Sequence, residues 1–99
     1  MFSPSGFYSK TRNLRVRPVP EMQVCLVFTP DAPKLYTLNT TAWLVLELCD
    51  GRSGKGLEAA YVGALGSTLT RKEAQSELRS IVKDLERKGI VKRRPKRVK

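Results

Sequence analysis

Over Lys34 to Gly51 the chain reads KLYTLNTTAWLVLELCDG, and its apolar repeat changes halfway. In Lys34 to Leu38 alternate residues share a face, Tyr36 and Leu38 on one side and Leu35 and Thr37 on the other, which is the period of a strand. Beyond that, Ala42, Trp43, Val45, Leu46, Leu48 and Cys49 cover most of a helical circumference, so the helix is expected to be central and buried on several sides. Asn39, Thr40 and Thr41 stand at the corner, where a side-chain oxygen can accept from the free amides of a first turn. Gly51 closes the segment, as a residue tolerant of positive φ does. A strand joined this sharply to a buried helix commits the chain to a mixed fold.

The remaining elements follow from the same periodicities. LRVRPV (Leu14 to Val19) alternates apolar and charged residues and predicts a short edge strand ended by Pro18 and Pro20. MQVCLVFT (Met22 to Thr29) predicts a second strand, with Met22, Val24, Leu26 and Phe28 as its core-facing row. PDAP supplies a turn before Lys34 to Leu38 returns as the other arm of a hairpin. After a polar loop, RSGKG, the residues Leu57, Ala60, Tyr61, Ala64 and Leu65 recur at helical spacing, with Gly66 beyond the end. Thr70 and Glu73 are in capping-box register. Ala74, Leu78, Ile81, Val82 and Leu85 form the stripe of a long third helix stopped by Gly89, leaving Ile90 and Val91 for a short strand or a tuck into the core. The order is a three-stranded antiparallel sheet followed by three helices, an α+β, winged-helix-like domain with the helices on one sheet face.

Charge separates the ends from the middle. Residues 1 to 17 carry four cations and no acid, residues 92 to 99 carry six cations and no acid, and residues 18 to 91 carry nine of each, which accounts for the net +10. The reading is therefore a mobile basic arm over residues 1 to 12, one folded domain over 13 to 91 that is neutral from residue 18 on, and a basic tail over 92 to 99. Such tails bind nucleic acid only weakly and lose it with salt. No long apolar run or secretory signal is present, so no membrane association is expected and the cytosol is the default compartment.

Catalytic equipment is not evident. The chain has no histidine, and Cys25 and Cys49 fall in apolar segments without a metal-ligand or CxxC spacing, which reads as buried free thiols. GRSGKG (Gly51 to Gly56) imitates a phosphate loop, but Cys49 stands where the first glycine belongs and Gly56 where a hydroxyl residue should reach magnesium. Acids and bases alternate along the third helix as on a solvated surface. No enzyme, metal or cofactor is expected. The alternative of a winged-helix DNA-binding regulator meets two objections. The reading helix would expose four carboxylates, and too few residues follow Gly89 for a second hairpin as the wing. Strand addition is the other possibility, a partner chain completing the open hydrogen bonds of Lys34 to Leu38.

The residues Tyr36, Leu38, Asn39, Thr41, Ala42, Leu46, Leu48, Asp50 and Gly51, with Leu85, Gly89, Ile90 and Val91 later, resemble the pattern of the PqqD-like family, also called RiPP recognition elements. The resemblance covers about Arg17 to Val91. It implies a small non-catalytic domain that binds the leader of a ribosomally made precursor peptide as an added strand, in the cleft between the third strand and the third helix. It also implies presentation to a modifying enzyme such as a radical SAM protein, a cyclase or a peptidase. Carried onto this chain, the docking edge is Lys34, Leu35, Tyr36, Thr37 and Leu38, with selective contacts from Leu35 and Thr37. Two flanks of the third helix can line the cleft. Gln75, Arg79, Val82 and Glu86 are favoured because Val82 offers an apolar floor and Arg79 a cation for an acidic leader residue. Glu77, Ile81, Asp84 and Lys88 form the other flank.

Overall fold

The structure is a computed structural model that describes residues 2, 5–30, 33–65 and 70–94. In chain order its elements are β1 (Phe7–Lys10), β2 (Arg15–Val19), β3 (Val24–Thr29), β4 (Lys34–Asn39), α1 (Thr40–Leu48), β5 (Asp50–Ser53), α2 (Gly54–Leu65), α3 (Arg71–Arg87) and β6 (Val91–Arg94). The strands form two three-stranded antiparallel sheets, ordered β2-β3-β4 and β5-β1-β6. The fold is α+β: the sheet of three followed by three helices is present, and a second sheet joins it. The expected turn at Asp31 and Ala32, Gly66, and the tail beyond Arg94 lie outside the described residues.

The corner at Asn39 is built as its side chains suggest. Its Oδ1 accepts from the Ala42 N–H at 2.8 Å, capping α1 directly off the end of β4. Thr70 and Glu73 form a full capping box at the start of α3. At the other end of α3, Gly89 N–H donates to the Glu86 carbonyl and Ile90 N–H to the Leu85 carbonyl, with Gly89 at φ +78°. That pair of bonds is a Schellman closure, and the buried side chains of Leu85 and Ile90 accompany it. The closure reverses the chain and delivers Ile90 and Val91 into the core.

Three sequence expectations change. The arm is not free over Phe7–Lys10: β1 pairs with both β5 and β6, and Tyr8 is fully buried. Thr11 fixes its end, donating from its N–H to the Ile90 carbonyl at 2.9 Å and from its hydroxyl to the Gly89 carbonyl. One buried residue in a short strand leaves no readable period, so β1 is made by its partners. Likewise, the polar stretch after α1 is β5 and the first turn of α2, with Gly51, at φ +100°, inside β5 just after the end of α1.

The third change concerns β3, whose inward face is the reverse of the expected one. Cys25, Val27 and Thr29 are buried, Val24, Leu26 and Phe28 are half-buried on the outer face, and Met22 is 70% exposed. The stretch from Val24 to Phe28 is apolar at every position, so its own pattern does not choose a face. Pairing chooses it: Cys25 lies opposite Leu38 and Val27 opposite Tyr36. Met22 belongs to a single helical turn, Pro20–Met22, cut off from β3 by Gln23 at φ 56°.

Candidate functional site

β4 is an edge strand whose only sheet partner among the described residues is β3. Half of an edge strand's backbone donors and acceptors point away from the sheet, which makes it a template for another extended chain. Its side chains alternate across the sheet. Leu38 is buried and Tyr36 half-buried on the inner face, while Leu35 is 65% exposed and Thr37 exposed on the outer one. Thr29 holds the start of β4, its hydroxyl donating to the Lys34 carbonyl at 3.4 Å.

Beside this edge, α3 and the first turn of α1 enclose a cleft of about 470 Å³. Asn39, Thr41 and Ala42 line one wall, and Glu77, Ser80, Ile81 and Asp84 the other. Lys88, one turn beyond Asp84, places its ammonium 5.3 Å from the centre of the Tyr36 ring and so ties the end of α3 to β4. Asp84 receives Lys88 at 2.9 Å and Arg87 at 2.6 Å. Hydrogen bonding by Lys88, with Arg87 adding to it, holds the Asp84 carboxyl below the ordinary carboxylate range. The cleft thus combines apolar patches on Ile81 and Ala42 with an ionised, internally compensated carboxylate.

The flank of α3 beside β4 is therefore Glu77, Ile81, Asp84 and Lys88. On the favoured flank, Arg79 donates from Nε to Glu58 of α2 at 3.0 Å, with its guanidinium over the Phe2 ring. Glu86 faces Arg93 of β6 at 3.9 Å, Val82 is fully buried in the core, and Gln75 is half-buried one turn before Arg79. The physical reason is the rotation of α3 about its axis. Packing on α2 and the second sheet fixes it, and a helical stripe bordered by charges on both sides does not encode which border meets a third element. The sequence places Thr41 and Ala42 at a helix start and in the family pattern but not in a wall of the cleft, and it does not single out Ser80, since nothing marks these roles until the elements are docked.

The reactive side chains are committed to structure. Both cysteines are buried and free, and burial pushes the Cys49 thiol up to about 12. The buried Tyr61 hydroxyl donates to Glu77, and burial followed by that bond raises its pKa. Among the described residues no group of three His, Cys, Asp or Glu side chains is placed to hold a metal ion. What the site offers is a strand edge and a cleft, which suit binding an extended chain.

A comparison with protein families matches coenzyme PQQ synthesis protein D (PqqD) over residues 25–91, about two-thirds of the chain. The chain belongs to the PqqD family. Members are accessory, chaperone-like proteins of PQQ and ribosomal-peptide biosynthesis, which work with a precursor peptide and a biosynthetic enzyme. The matched stretch runs from β3 through β4 and all three helices to the first residue of β6, and so contains the edge and the cleft. It leaves out β1, β2 and most of β6. Neither a curated protein nor a solved structure gives a significant match. No helix among the described residues is long and apolar enough to cross a membrane.

Proposed function

We propose that this PqqD-family chain captures the leader segment of a ribosomally synthesised precursor peptide by strand addition to β4 and presents it to a modifying enzyme. The observation that carries the reading is the position of β4, an edge strand lying directly beside the α3 cleft within the family-matched stretch. Affinity comes from main-chain pairing along Lys34, Leu35, Tyr36, Thr37 and Leu38. Selectivity comes from Leu35 and Thr37 on the outer face and from Ile81, Asp84 and Lys88 on the cleft side. An added strand alternates its own side chains, so a leader with an aliphatic residue over Ile81 is favoured. The role is non-catalytic: the chain positions a peptide, and the partner enzyme supplies the chemistry.

A proline scan through Leu35, Tyr36, Thr37 and Leu38 tests this, because an edge strand tolerates proline where its N–H points outward. With a labelled leader of a precursor peptide that the chain binds, proline at outward-facing positions weakens binding at least ~10-fold, the equivalent of about 1.4 kcal/mol. The circular dichroism of the helices stays unchanged. Undiminished binding across the whole scan rejects strand addition. The rival reading, a winged-helix DNA-binding regulator, has to bring α3 to phosphates with Glu73 and Glu77 exposed on it.

A further inference from the structure

Four of the cations from the two ends of the sequence, which together hold its net charge of +10, are brought onto one surface by the fold. β1 and β6 run antiparallel with Phe7 opposite Arg94 and Ser9 opposite Lys92, and the Thr11 bond to Ile90 continues that pairing. Ser9, Lys10, Arg12, Asn13, Lys92 and Arg94 consequently line one hollow of about 630 Å³. Four of the six are cations and none is an acid. Lys10 reaches Glu47 only at 3.8 Å, and Arg12, Lys92 and Arg94 form no ion pair among the described residues. Several cations elsewhere are compensated, as Arg79 is by Glu58 and as Arg87 and Lys88 are by Asp84, whereas three of the four in the hollow are not. Cations facing one concave surface repel one another and concentrate an anion there.

We infer that this hollow binds a short acidic stretch of a partner polypeptide. Arginines present paired N–H donors that match a carboxylate, and Ser9 and Asn13 add neutral hydrogen-bonding groups between the charges. Acids bound the hollow: Glu47 lies beside Lys10, and Asp50 lies opposite Ser9 on the far side of β1. A nucleic-acid backbone, charged at every nucleotide, would run onto those carboxylates, whereas a few consecutive acidic residues end before them. The hollow belongs to β1, β6 and the turn after β1, none of which lines the cleft between β4 and α3, so both surfaces can be occupied together. The inference stands on this charge arrangement and does not depend on leader binding.

Fluorescence anisotropy of the full chain with a labelled oligoglutamate peptide tests it. Oligoglutamate binds with a salt-sensitive affinity, and oligoglutamine of equal length does not bind. Arg12→Glu with Arg94→Glu weakens oligoglutamate at least ~10-fold, while the equal charge change Arg71→Glu with Lys72→Glu, at the start of α3, has a much smaller effect. Lys92→Gln with Arg94→Gln gives an intermediate loss and serves if the reversal unfolds the chain. Thr37→Pro in β4 leaves the binding intact, which separates this surface from the leader cleft. Equal losses from the α3 pair, equal binding of oligoglutamine, or tighter binding of a single-stranded oligonucleotide of matched charge at the same residues would each overturn the proposal.

Discussion

At single residues, backbone geometry and side-chain partners decide which substitutions matter. Gly89 sits at φ +78° and Gly63 lies in the body of α2, yet a Cβ at either would meet nothing within 4 Å. Space is equal, so only the backbone distinguishes them. Gly89→Ala is expected to cost about 1 kcal/mol, because an L-residue is strained there, while Gly63→Ala is expected to stabilise by about 0.5 kcal/mol through helix propensity and a less disordered unfolded chain. Urea unfolding midpoints at unchanged slope measure both. The glycine that ends α3 was legible in the sequence from its place after the last apolar residue. The cysteines were legible too, as thiols buried in apolar stretches. The assignment of Arg79 to the cleft was not, because its partner Glu58 is 21 positions away and lies on another helix.

At the level of elements, β1 shows how little sequence a strand needs when its neighbours are in place. FYSK carries one core residue, Tyr8, which is fully buried and stacks on Phe2 with ring centroids 5.3 Å apart. Treating residues 1 to 12 as a mobile arm predicts no effect of Tyr8→Ala on stability. The structure predicts a loss of about 3 kcal/mol, the cost of removing a buried aromatic side chain. A thermal or urea melt distinguishes these outcomes, and Phe7→Ala, on the more exposed face, should cost much less. β4 and α1 behave oppositely. Their patterns differ sharply on either side of Asn39, the cap is local, and the sequence specifies both elements before any tertiary contact forms. β3 lies between these cases: its existence is plain from Val24 to Phe28, but its inward face is set by pairing with Leu38 and Tyr36.

For the whole molecule, the distribution of protons links the buried groups to stability. The Cys49 thiol is raised from 9.0 to about 12, and the Tyr61 hydroxyl is raised from 10.0. Both are acids kept neutral by the fold, so from about pH 9 upward the unfolded chain holds fewer protons than the native one, and stability falls as pH rises. Asp84, whose pKa is lowered from 3.8, acts in the other direction: its contribution is present above that value and is lost as pH falls through the native pKa. Urea midpoints measured against pH should decline at both extremes, and Cys49→Ala should reduce the part of the alkaline decline that begins first, with Cys25, whose thiol is also raised by burial, supplying the remainder. The sequence by itself determined the α+β class, the strand-helix corner, the capped third helix, the neutral middle with basic ends, and a strand suited to pairing. Those features rest on interactions between residues close in the chain or on composition. Only the tertiary structure decided that the basic ends meet in a second sheet, which face of β3 turns inward, and which flank of α3 borders β4. Each of these is a choice among alternatives that local pattern leaves equivalent, and it is made by packing between segments far apart in the chain.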